Sequence, residues 1–155
     1  MDFETRRIEQ PEERSAIARA VLESLPEWFG MEESREEYIA QSARLPLWAA
    51  FSQGEPVGFI VLKETSAHAA EICVMGVRKE AHRQGVGRAL FAALHAHALQ
   101  MGLKCLQVKT VAQGCYPEYD ATRRFYEACG FYELEVFPTL WDEANPCSIM
   151  ILPLR

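Results

Sequence analysis

At 155 residues, of which 49% are apolar, the chain has the size of one domain and enough apolar side chains to bury a substantial core, which excludes a disordered protein. No apolar run approaches the roughly 20 residues of a membrane-spanning helix, and the first residues lack the apolar stretch of a secretory signal, so a cytoplasmic protein with no membrane partner is expected. The formal charge of -6 argues against nucleic acid as a partner and is compatible with a cationic or amine-bearing one.

The elements follow from hydrophobic spacing. Ile17, Val21 and Leu25 mark a helix over 12–24 that Pro26 ends. A loop from Leu25 to Gly30 leads to a second helix over 31–43, whose sparse apolar positions (Tyr38, Ile39, Ala43) place it on the outside. Strands at 47–51 and 57–62 are joined by a turn at Ser52–Glu55, and a third strand runs from His68 to Val77. Neither face of that third strand is strongly polar, as in a central strand. Val86, Leu90, Leu94 and Met101 form the stripe of a helix that stops at Gly102. Residues 105–110 are a strand, 111–119 an irregular loop, and Asp120 the N-cap of a helix closed by Gly130. Strands at 131–137 and 148–152 complete the chain, and a further one near residues 7–9 would enlarge the sheet.

The five cysteines, Cys73, Cys105, Cys115, Cys129 and Cys147, contain no Cys-x-x-Cys pair and predict reduced thiols. His95 and His97 miss the three- or four-residue offset that metal sites on helices use, so no metal is expected.

The segment after Val77 is the most informative. An apolar strand runs into His82, Arg83, Gln84, Gly85, Val86, Gly87 and Arg88, and then into a helix. The first N–H groups of a helix lack intrahelical partners and carry partial positive charge, and glycines there hold no side chain between donor and anion. Such a turn suits a phosphate-bearing ligand. It lacks the Lys-Ser/Thr ending of a P-loop and the Gly-x-Gly-x-x-Gly spacing of a dinucleotide site.

The segment resembles the acyl-CoA signature of the GNAT superfamily of N-acyltransferases, Arg/Gln-x-x-Gly-x-Gly/Ala, with His82 where Arg or Gln is usual and Gly85 and Gly87 matching. About forty residues on, Phe125, Tyr126, Gly130 and Phe131 resemble the family's second signature. The resemblance covers nearly the whole chain. It implies one domain over 1–155 of the α/β (α+β) class with the GNAT fold: a mixed, mostly antiparallel sheet flanked by helices. A parallel strand pair, His68–Val77 and Cys105–Thr110, would splay apart to admit the pantetheine arm of CoA.

The resemblance also implies roles. His82, Arg83, Gln84, Gly85, Val86, Gly87 and Arg88 would bind the pyrophosphate, and Val77 the acyl or pantetheine group through its backbone. Tyr126 matches the position whose hydroxyl faces the CoA sulfur and would act as general acid, the alternative being a ring packed on the sheet. Glu71 lies where many relatives place a base that works through water, or is a solvent-facing strand residue. Trp28 and Phe29 sit in the segment that shapes the acceptor pocket in this fold. Large aromatics in a loop are seldom left exposed, so they either line that pocket or staple the helices to the sheet. Tyr116, with Tyr119 and the loop at 141–145, is a further acceptor-site candidate.

The expected activity is transfer of an acetyl group from acetyl-CoA, as cosubstrate, to a primary amine of a small molecule or peptide by direct attack in a ternary complex. Two alternatives stay open: an enzyme using a longer acyl-CoA, and a silent module that senses acyl-CoA. Analogy with the fold also offers a homodimer through the strands of residues 131–152.

Overall fold

The structure is a computed structural model that describes residues 1–155. Seven strands form one sheet: β1 (Glu4–Ile8), β2 (Leu47–Ser52), β3 (Glu55–Glu64), β4 (Ala69–Val77), β5 (Cys105–Val111), β6 (Tyr132–Asp142) and β7 (Asn145–Pro153). Their spatial order is β1-β2-β3-β4-β5-β7-β6, antiparallel except for the β4–β5 pair. Five helices accompany them: α1 (Pro11–Glu23), α2 (Pro26–Phe29), α3 (Glu32–Arg44), α4 (Val86–Gln100) and α5 (Pro117–Ala128).

The central strands are apolar on both faces because helices cover both. In β3, Phe59 and Val61 face a core built with Ile17, Val21 and Leu22 of α1 and Ile39 of α3. Ile60 and Leu62, one residue out of phase, face a second core with Val86, Leu90 and Leu94 of α4 and Tyr126 of α5. This period-two division is what a continuous apolar strand requires.

The parallel pair is short. β4 and β5 share only three registered positions, Ala69 with Cys105, Ala70 with Leu106, and Glu71 with Gln107. Beyond them the strands part. Immediately past the last pair, β4 carries a bulge: Leu62 of β3 pairs with Ile72 and Val61 with Val74, leaving Cys73 extra. A bulge bends its strand and raises the local twist, which turns the C-terminal half of β4 away from β5.

Several boundaries differ from the sequence reading for identifiable reasons. The 25–30 segment contains the single turn α2, with Pro26 at its start, where a missing N–H costs nothing. α3 is not merely external, since Ile39 and Ser42 are buried against the rest. Asp120 is not an N-cap. The helix begins three residues earlier at Pro117, and Asp120 Oδ1 accepts a 2.9 Å bond from the Gly114 amide. The segment from Pro138 to Pro146 is not a loop but mostly the two arms of a hairpin turning at Glu143 and Ala144. Pro138 is accommodated because β6 is the sheet edge and needs no N–H on its free side.

α5 is tied down at its middle. Arg123, 8% exposed, donates through Nη1 to Ser148 Oγ at 3.0 Å and lies 3.3 Å from Glu133 Oε1. Ser148 Oγ in turn donates to Glu133 at 2.8 Å.

Phe59 is fully buried between α1 and the sheet. Phe59→Ala is expected to cost about 3–5 kcal/mol, because the cavity adds to the lost transfer energy. Urea unfolding should show this as a lower midpoint at unchanged slope.

Candidate active site at the strand gap

The turn after β4 is built from backbone conformation. A single 3-10 turn, Lys79–Ala81, is followed by Arg83 at φ 62° and Gly85 at φ 85°. Gly85 is the N-cap of α4 and has the left-handed conformation that an L side chain resists. A Cβ there would meet nothing, so the requirement is conformational. Gly87 is needed for a different reason. A Cβ on it would lie 3.0 Å from Phe125 Cε1 and 3.2 Å from Phe125 Cζ, so the missing side chain makes room for α5.

No side chain caps α4 and its first turn holds no acidic residue, which leaves the amides at Val86, Gly87 and Arg88 available to an external anion. Arg83, Gln84 and Arg88 stand exposed around this end, whereas the Val86 side chain is buried in the core. Gln84 Oε1 accepts from the Met1 ammonium at 3.4 Å, and Arg88 Nη1 donates to the Ala128 carbonyl at 3.4 Å. His82 points elsewhere. Its Nε2 lies 2.7 Å from the Val77 carbonyl oxygen, and its ring meets Trp28 edge-on at 6.0 Å. The Val77 carbonyl is therefore already engaged within the chain.

Tyr126 is 6% exposed, with its ring edge-on to Phe125 and Phe131 at 5.5 and 5.7 Å. Burial pushes its hydroxyl well above the usual tyrosine range, helped by Cys129 and by Tyr38 of α3. A phenol held this way keeps its proton at every physiological pH.

On the other side of the sheet, Glu71 lies at the last point of β4–β5 contact. Its Oε2 accepts from Lys109 Nζ at 3.2 Å. Next to it, the Cys73 thiol donates to Gln41 Oε1 at 2.9 Å, and burial pushes that thiol up to about 11. Tyr38 is raised as well, first by burial and then by Cys73, Tyr119 and Glu71.

Trp28, Phe29 and Tyr116 converge here with two further aromatics. Phe29 meets Tyr38 edge-on at 6.1 Å, and Tyr116 meets Tyr119 at 5.8 Å. Trp28 Nε1 donates to the Glu118 carbonyl at 3.3 Å, while Tyr119 Oη donates back to the Trp28 carbonyl at 2.9 Å. Glu27 of α2 pairs with Lys79 of the turn, and that ammonium holds the Glu27 carboxyl below its usual range. α2 thus bridges the turn after β4 and the start of α5. Lys109, Tyr38, Gln41 and Cys73 were not singled out from sequence for this site. Alternation in β5 could have found Lys109, because Leu106 and Val108 enter the core and place Lys109 on the opposite face.

Comparison with known proteins agrees with this arrangement. The profile of the Acetyltransferase (GNAT) family matches residues 14–131. Among solved structures, the ribosomal-protein-S18-alanine N-acetyltransferase from Escherichia coli superposes at a TM-score of 0.74 with 20% identity, over 98% of this chain and 94% of that one. The yncA protein from Salmonella typhimurium, solved with its cofactor acetyl-CoA, gives 0.75 and 15% over 100% and 95%. An aminoglycoside 6'-N-acetyltransferase complexed with coenzyme A gives 0.72 and 18% over 97% and 96%. No curated protein sequence matches the chain. With the profile covering most of its length, the chain belongs to the GNAT family of acetyltransferases.

Proposed function

We propose that the protein is an N-acetyltransferase that moves the acetyl group of acetyl-CoA to a primary amine, on a small molecule or a peptide, by direct attack in a ternary complex. The observation that carries this reading is the gap between β4 and β5, which opens after three registered pairs with the uncapped start of α4 following β4. An elongated thioester would enter between the strands and rest its pyrophosphate on the amides at Val86–Arg88, with Arg83 and Arg88 adding charge. The solved relatives that hold acetyl-CoA or coenzyme A support the same donor. The absence of a helix long and apolar enough to cross a membrane is compatible with work in the cytoplasm.

The chemistry follows from what the chain supplies. The amine nitrogen forms a bond to the thioester carbonyl carbon while the carbon–sulfur bond breaks. The sulfur takes the electron pair and a proton from Tyr126 Oη, and the nitrogen gives up a proton through water to Glu71. Positioning supplies most of the rate in such direct attack, and the proton donor adds its share. As a buried neutral phenol, Tyr126 enters the reaction with its proton in place for the departing thiolate.

Two variants test the two halves of the site. Gly85→Val places a β-branched residue at φ 85°, a conformation that costs about 1–3 kcal/mol, and distorts the amides it precedes. Calorimetry should show acetyl-CoA binding weakened by roughly tenfold or more, equivalent to about 1.4 kcal/mol, and more than by His82→Ala. Unchanged affinity would remove this turn from the donor site.

Tyr126→Phe keeps the ring and its packing but deletes the hydroxyl. Steady-state thiol release should fall by roughly ten- to ten-thousand-fold in kcat with acetyl-CoA affinity little changed. Full activity in this variant would return Tyr126 to a packing role.

A further inference from the structure

Glu71 and Lys109 form an ion pair at the point where the strands part. Glu71 sits in the last registered β4–β5 pair, and Lys109 lies two residues past its partner Gln107. The Glu71 side chain is 12% exposed and that of Lys109 36%, so the carboxylate is largely sheltered while the ammonium still reaches solvent. A second ammonium adjoins the pair, since Lys63 of β3 is registered directly opposite Glu71. Tyr38 of α3, which meets Phe29 edge-on, lies near enough to feel the charge of Glu71.

This pair constrains what an acceptor can be. Lys109 engages only Oε2 of Glu71, so an ammonium that approaches Glu71 shares the carboxylate with Lys109 and lies beside a like charge. An amine with no other charge gains the contact to Glu71 against repulsion from Lys109. An amine with a carboxylate on the neighbouring carbon offsets that repulsion, its ammonium on Glu71 and its carboxylate on Lys109. Charge-assisted contacts of this kind are the strong ones in a sheltered site.

From this geometry we infer that the acceptor is a zwitterion, an amine with an adjacent carboxylate as in a free amino acid, and that Lys109 selects it. The apolar part of such an acceptor would lie against Tyr38 and Phe29. The inference rests on the N-acetyltransferase reading above and narrows its acceptor to one chemical class.

The test is thiol release from acetyl-CoA with the twenty amino acids, each compared with its carboxamide (which mimics a peptide N-terminal residue) and its decarboxylated amine. Wild type should favour the best amino acid over its carboxamide by about 10- to 100-fold in kcat/KM, the scale of one lost hydrogen bond to a charged group. The difference should reside in KM. Lys109→Met should erase the preference, Lys109→Arg should keep it, and acetyl-CoA affinity measured by calorimetry should be the same in all three proteins. Carboxamides or simple amines used as well as the acids, or a preference that survives in Lys109→Met, would overturn the zwitterion while leaving N-acetyl transfer standing. Acetyl-CoA binding with no amine of any class acetylated would overturn the transferase reading and this inference with it.

Discussion

Pairing between β4 and β5 ends at Glu71 and Gln107, and the architecture around it follows from keeping the two strands apart. Backbone N–H and C=O groups cannot be left buried without partners, so a sheet does not open for free. The chain limits the cost by giving each strand a full neighbour on its other side. β3 pairs with β4 from Glu71 to Val77, and β7 pairs with β5 along its whole length. Each strand therefore loses partners on one edge only. The bulge at Cys73 supplies the divergence directly after the last shared pair, where added twist separates the strands most.

Opening a sheet also invites collapse of the helices into the gap, and specific contacts oppose this. α5 is anchored from beneath by Arg123, Ser148 and Glu133, and from α4 by the close approach of Phe125 to Gly87. α2, only one turn long, connects the two arms through Trp28 and Glu118, Tyr119 and Trp28, and Glu27 and Lys79. The Trp28 ring also lies against His82, whose Nε2 is bound to the end of β4. A change in α2 is thereby felt at the turn after β4 and at the start of α5 together. Glycine at position 87 lets α4 approach the helix that carries Tyr126.

Features held by local chemistry were legible in the sequence. The turn around Gly85 could be read because glycines beside free helix-start amides leave room for an anion, and the central strands because neither face was strongly polar. The left-handed backbone at Gly85 emerged only in the structure. The mixed sheet and its parallel pair followed from the resemblance, and the structure has them. The bulge was not legible, because Ile72, Cys73 and Val74 contain no glycine or proline to mark it, and it arises from pairing with β3. The start of α5 was misjudged because Asp120 offered a capping side chain, yet Pro117 with its fixed φ begins the helix earlier. Tyr38 looked external because α3 has few apolar residues. Its surroundings come from α2, β4 and α5, the last two remote in sequence.

Net charge is the clearest case of a whole-chain property that does not carry through to the site. The chain has six more acidic than basic side chains, 22 against 16, which suggests a cleft that draws in cations. At the gap, however, Glu71 is matched with Lys109 and Glu27 with Lys79. Much of the unbalanced acid lies elsewhere, on exposed positions such as Glu12, Glu32 and Glu33. At physiological ionic strength the field of such exposed charges decays over about 8 Å, so distant acid contributes little at the gap. What an incoming group meets at Glu71 is set by the nearest charges. Those include two lysines, Lys109 paired with Glu71 and Lys63 registered opposite it on β3, so the immediate surroundings of Glu71 do not share the sign of the chain's net charge.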